Sequence, residues 1–108
     1  MFKIIQGKGF WITFANGYQI SVQWGPGNYC DHHGKWATSG EDTAKLGEAG
    51  SATAEIAVFR PDGSWIQLDE YDKVRGYLSA NQVAEIIALV ATNPESLGVA
   101  EMTHGVSA

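Results

Sequence analysis

Phe10, Ile12 and Phe14 alternate with Trp11 and Thr13, and after Asn16-Gly17 the residues Tyr18, Ile20, Val22 and Trp24 alternate with Gln19, Ser21 and Gln23. Period-two alternation on both sides of Asn-Gly predicts an antiparallel hairpin with a type I′ turn, whose two central residues take positive φ. The second strand has one apolar and one polar face, so one side of the sheet is expected to meet water. Trp11 breaks that rule on the first strand, which makes it a cover for the open face or part of a site.

A second alternating stretch, Ala54 to Arg60, carries Ile56 and Val58 on one face and Ala57 and Phe59 on the other. Pro61-Asp62-Gly63 then predicts a turn, Pro presetting φ and Gly taking the left-handed position. Ser64 to Leu68 is expected to return as the partner strand, and Phe2 to Ile5 to add an edge strand. Residues 37–53 are small and polar and read as a long mobile connection between the hairpins.

Helical spacing appears once. Ser79 with Gln82 forms a capping box, and Val83, Ile86, Ile87 and Val90 recur on one face, widened by Leu89. Asn93-Pro94 ends that helix, and residues 95–108, without periodicity, are expected to fray. A half-wet sheet and a one-faced helix must bury their apolar sides together. The expected fold class is therefore α+β: an antiparallel sheet of four or five strands built from two hairpins, with one C-terminal helix packed on it. Residues 1–94 form the single domain and 95–108 a flexible tail.

Composition narrows the partners. The chain has 108 residues, 44% of them apolar, and a net charge of −5. Residues 1–61 hold five acids and five bases, whereas 62–108 hold seven acids against Lys73 and Arg75, so the net negative charge lies in the second half. The basic stripe of a nucleic-acid binder is missing, and an anionic membrane surface is disfavoured for the same reason. No apolar run approaches the roughly 20 residues that span a bilayer. With no signal-peptide pattern at its start and a single cysteine, the chain reads as cytoplasmic.

The residues able to do chemistry cluster in 24–36, Trp-Gly-Pro-Gly-Asn-Tyr-Cys-Asp-His-His-Gly-Lys-Trp. The Gly-Pro-Gly opening predicts a loop leaving a strand, where binding residues concentrate. Cys30, Asp31, His32 and His33 offer metal ligands, but adjacent side chains point apart and zinc needs four ligands at wider spacing. Cys30 with His32 or His33 is a weak nucleophile pair, because Cys–His pairs are assembled from distant segments. Asp69, Glu70 and Asp72 offer paired carboxylates, though a solvated acidic turn is the commoner use of such a cluster. Gly25, Gly27 and Asn28 lack the Lys-Ser/Thr ending of a P-loop, yet successive amides in a Gly-rich turn can cradle an anion. Lys35 would supply charge, and Trp11, Trp24, Tyr29 and Trp36 would supply stacking surfaces. Trp65 and Trp24 are expected in the core, and Trp11 and Trp36 at a binding surface.

Three stretches carry a resemblance. Gly9 to Gly17 running through Val22-Gln23-Trp24-Gly25-Pro26-Gly27-Asn28-Tyr29-Cys30, Glu55 to Phe59 with Asp62-Gly63, and Val74 to Ser79 with Gln82 to Ile87 together resemble a group of small, uncharacterised bacteriophage proteins. The likeness covers residues 9–93 apart from the middle loop. It implies a context, action on a host protein or defence pathway, and no catalytic residues.

The expectation is thus a phage-type accessory protein that binds rather than catalyses. The site consists of Trp11, Gly25, Gly27, Asn28, Tyr29, Asp31, His32, His33, Lys35 and Trp36. The partner is a host protein or a small anionic ligand, with no nucleic acid, no membrane and no cofactor. The protein itself is expected to be a homo-oligomer, a dimer joined by sheet edges across a two-fold axis. Alternatives are sequestration of a nucleotide-like signal, a Cys/His hydrolase or metal-binding protein, and a minor virion protein.

Overall fold

The alternating segments form one antiparallel sheet in a computed structural model that describes residues 1–5, 9–25, 28–30 and 51–98, with 4 and 5 by backbone only. Strands β1 (Phe2–Ile5), β2 (Gly9–Thr13), β3 (Gln19–Gln23), β4 (Thr53–Phe59) and β5 (Val74–Ser79) lie in chain order, each antiparallel to the next. Helix α1 (Ala80–Thr92) follows β5 directly and packs on β3, β4 and β5. Among the described residues, the α+β class with a five-stranded antiparallel sheet and a helix packed on it is as expected. The connection expected over 37–53 lies outside the described residues as far as residue 50.

Register decides which side chains meet the helix. Phe10 pairs Val22 and Ile12 pairs Ile20, while Ile20 and Val22 pair Val58 and Ile56 on β4. Successive side chains on a strand face opposite ways, so all six share one face. With Val83, Ile86 and Val90 of α1, Leu78, Ile66 and Leu68 they build the core. The opposite face carries the row Lys3, Trp11, Ser21, Ala57 and Val74. Its centre is drier than the sequence suggests: Ser21 and Ala57 are buried, small residues flanked in the row by the larger Trp11 and Val74. Trp11 lies under the Lys3 ammonium, 5.3 Å from its ring centroid, and its indole Nε1 is buried with no hydrogen-bond partner among the described residues.

Both predicted turns form, one with a different geometry. At the β2–β3 turn Gly17 alone has positive φ (85°), and Gly17 N–H donates to the Phe14 carbonyl at 2.9 Å. This is a three-residue loop ending in a left-handed glycine rather than a type I′ turn. Asn16 is freed for another task. Its Oδ1 accepts from Tyr18 N–H at 3.0 Å, and its Nδ2 donates to the Val90 carbonyl at 2.9 Å. Val90 is in the last turn of α1, whose carbonyls have no partner within the helix, so the hairpin tip satisfies the helix end. The Pro61-Asp62-Gly63 turn uses the same plan, with Gly63 at φ 88° and Asp62 Oδ1 accepting from Ser64 N–H and Oγ–H.

The second hairpin is a correction. Ser64 to Leu68 is not a strand. It meets β4 only at a Phe59–Trp65 bridge, with Ile66 N–H donating to the Val58 carbonyl at 2.9 Å. The rest of that edge of β4, Thr53 to Ala57, is occupied by β5, so one strand edge serves two segments. Trp65, expected in the core, sits opposite Phe59 on the face turned away from α1. It remains 41% exposed, its ring 4.5 Å from that of Phe59. Ile66 and Leu68 are the core residues of this segment.

Helix α1 begins as predicted. Ser79 Oγ accepts from Gln82 N–H at 3.2 Å, and Gln82 Oε1 accepts from Ser79 N–H at 2.8 Å. Leu89 is exposed at the margin of the apolar face. Past Asn93 the chain does not fray at once. Pro94–Leu97 form a 3-10 turn that returns Leu97 to the core, and residues 99–108 lie outside the described residues.

Glu95 on that turn accepts hydrogen bonds from Arg60, the shortest from Nε to Oε2 and from Nη2 to Oε1, both 3.0 Å. It also accepts one from the Tyr18 hydroxyl at 2.6 Å. The Arg60 guanidinium and then the Tyr18 hydroxyl hold the Glu95 carboxyl below its ordinary range, and the Glu95 bond in turn raises the Tyr18 phenol. A depressed carboxyl pKa stabilises the fold above the unfolded value of 4.5 and loses that contribution as pH falls through the folded value. The raised phenol contributes below its ordinary pKa of 10.0 and loses that contribution as pH rises through the folded one. The pair is half open to solvent, so Glu95→Gln should cost about 0.5–1 kcal/mol near neutral pH. The difference from wild type should vanish in acid below the folded Glu95 pKa. Urea titrations of both proteins across the acid range measure this, and a constant difference down to the lowest pH would show that the carboxylate contributes nothing.

Candidate functional site

The expected site begins where β3 ends. Gly25 N–H donates to Asn28 Oδ1 at 3.0 Å, and Asn28 N–H donates to the Gly25 carbonyl at 3.0 Å. These reciprocal bonds tie Gly25 to Asn28. Asn28 Nδ2 reaches Gln23 Oε1 and Glu55 Oε1, each at 3.2 Å. Gln23 and Glu55 are directly paired on β3 and β4, two residues along from the Trp11–Ser21–Ala57 row and on the same face, the one turned away from α1. The segment 28–30 therefore crosses that face as a strap over β4.

The strap has three anchors. Tyr29 N–H donates to Glu55 Oε2 at 2.8 Å, and Tyr77 N–H on β5 donates to the Tyr29 carbonyl at 2.8 Å. Cys30 is buried, with its thiol 3.5 Å from the Gly25 carbonyl it donates to. Reactive thiols usually sit in partly exposed, electropositive surroundings, whereas this one is buried against a backbone oxygen.

The strand beneath is shaped to receive the strap. Ala54 pairs Leu78 and Ile56 pairs Arg75, so Gly76 and Tyr77 together oppose Glu55 alone. This is a β-bulge, and Tyr77 holds φ 54° in it, the one positive φ outside glycine among the described residues. A bulge re-aims the backbone, and here the Tyr77 N–H is aimed at the strap. A Cβ on Gly76 would stand 2.4 Å from the Tyr29 Cβ and 2.8 Å from its carbonyl oxygen. Glycine is needed at 76 for space. The result is two tyrosines side by side in backbone contact, Tyr29 46% and Tyr77 54% exposed.

The structure thus brings together Gly25, Asn28 and Tyr29, and places Trp11 on the same face of the sheet. Gly27, Asp31, His32, His33, Lys35 and Trp36 lie outside the described residues. Glu55, Gly76 and Tyr77 were not among the residues the sequence pointed to. The one signal for them was a glycine inside an otherwise strand-like run, Val74 to Ser79, which often marks a bulge or a close backbone approach.

The amides of Gly25, Asn28, Tyr29 and Cys30 are all taken, by Asn28 Oδ1, the Gly25 carbonyl, Glu55 and the Asn28 carbonyl. The carboxylate of Glu55 accepts both the Tyr29 amide and the Asn28 side chain. In the acidic cluster, Asp69 Oδ1 accepts from the amides of Tyr71 and Asp72, and Asp72 Oδ1 from that of Lys73. Among the described residues no three His, Cys, Asp or Glu side chains are grouped to hold a metal ion, and no helix is long and apolar enough to cross a membrane. No protein-family model, no curated protein and no solved structure matches the chain.

Proposed function

We propose that this protein acts by binding a macromolecular partner, with Tyr29 and Tyr77 at the centre of the contact and Trp11 further along the same face. The observation that carries this reading is the pair of half-exposed tyrosines fixed by a strained bulge and a triply anchored strap. Left-handed backbone at a non-glycine residue costs about 1–3 kcal/mol and persists where function uses it. Tyrosine is among the residues that dominate binding energy at interfaces, and a surface already ordered before contact loses less entropy on binding. Within the phage resemblance of the sequence, the partner is a host protein that the surface occludes. The small-anion alternative is the weaker one, because Glu55 already accepts the Tyr29 amide and the Asn28 side chain.

The test compares wild type, a Tyr29→Ala/Tyr77→Gly double variant and a Tyr71→Ala control as baits in bacterial lysate. Affinities for the captured protein are then measured after it has been purified. Glycine at 77 tolerates the left-handed conformation, and Tyr71 is 91% exposed outside the strap. The double variant should bind about 30-fold or more weakly, as loss of a hot spot implies, with the control unchanged. Equal affinity for all three proteins, or no specific partner for wild type, would remove the proposal.

A further inference from the structure

We infer that Glu55 is a positioning residue, the latch that holds the 28–30 strap across the sheet and thereby fixes the Tyr29–Tyr77 surface. It deepens the binding reading above, but its test needs no partner and is decided separately.

Glu55 stands on β4 at the point where two residues of β5 oppose one. Both of its carboxylate oxygens face the strap, Oε2 toward the Tyr29 amide at 2.8 Å and Oε1 toward the Asn28 side chain at 3.2 Å. The carbonyl of that same Tyr29 accepts the Tyr77 amide. Glu55 thus acts on Tyr77 through Tyr29. It holds the peptide that gives the bulge its acceptor. Hydrogen bonds to an ionised acceptor are about twice as strong as neutral ones, which makes this carboxylate the strongest of the polar anchors. Without it, the outward Tyr77 N–H relies on a strap that has lost its charged hydrogen-bond acceptor. A regular strand pair at this position would have no use for an acid, whereas a bulge opposed by an acid that grips a crossing segment uses both features.

The experiment is amide hydrogen exchange by NMR on wild type and Glu55→Gln. Glutamine keeps the shape and one acceptor while removing the charge. The Tyr29 and Tyr77 amides should exchange about 10- to 100-fold faster in the variant, the range expected for loss of a charge-assisted hydrogen bond. The Ile66 amide, bonded to the Val58 carbonyl at the far end of β4, should keep its wild-type rate. A purely structural role for Glu55 would raise exchange throughout the sheet, and that outcome overturns the inference. Unchanged Tyr29 and Tyr77 exchange overturns it as well. If Glu55→Gln does not fold, Asn28→Ala, which removes the other half of the contact, is read in the same way.

Discussion

Replacing Ile56 by alanine should cost about 2–5 kcal/mol, the range for removing a buried branched side chain and leaving a cavity. Ile56 is 1% exposed, at the centre of β4, paired with Val22 on one side and Arg75 on the other. It faces α1 while its neighbour Glu55 faces the strap, so one short stretch of β4 supports both layers. Domains of this size have about 5–15 kcal/mol in total, so the variant should lose a large share of its stability. Its melting temperature should fall by roughly 10 °C or more. Ile56→Val, which removes one methyl group, should cost only about 0.5–1.5 kcal/mol. Urea titrations monitored by tryptophan fluorescence measure both. If the alanine variant lost less than the valine range, Ile56 would not be at the centre of the core, and the pairing of β4 with β3 would have the wrong face toward the helix.

Period-two alternation located β2, β3 and β4, and Ser79 with Gln82 located the start of α1, because these signals are local and the structure uses them locally. Gly17 and Gly63 take the left-handed positions that turn chemistry assigns to them. The failures have a common physical origin. Ser64 to Leu68 has strand-like alternation, and Ile66 and Leu68 do point inward. Whether a ladder forms depends on which segment wins the edge of β4, and β5 wins it from far along the chain. The strand β5 escaped notice because its bulge breaks the alternation and a glycine sits inside it. Trp65 looked like core by size alone, while its pairing with Phe59 puts it on the other face. At the site, Asn28 and Tyr29 were legible as turn and aromatic residues. Their anchors were not, since Glu55 lies 26 residues beyond Tyr29 and Tyr77 further still. The Arg60–Glu95–Tyr18 cluster is another meeting of residues distant in sequence, with Tyr18 and Glu95 separated by 77 positions.

Gly76→Ala should be the most selective way to disable the strap. Two glycines frame the comparison. At Gly63 the left-handed backbone is the whole difficulty, since φ is 88° and nothing lies within 4 Å of an added Cβ. Alanine there should cost about 1–2 kcal/mol through conformation alone and leave the strap in place. At Gly76 the difficulty is room. The new methyl would meet the Tyr29 Cβ at 2.4 Å and its carbonyl oxygen at 2.8 Å, and these are rigid atoms of a segment fixed at Glu55 and Cys30. Either β5 recedes or the strap lifts, and overpacking of this kind costs about 1–3 kcal/mol. Lifting the strap also breaks the Tyr77–Tyr29 bond and removes the acceptor that aims the bulge. The two variants should therefore show similar losses of stability in denaturation but opposite behaviour at the site. Gly76→Ala should lose partner binding and Tyr77 amide protection, while Gly63→Ala keeps both. Should Gly76→Ala keep wild-type stability and Tyr77 protection, the strap does not lie against β5 and the two tyrosines do not form one surface.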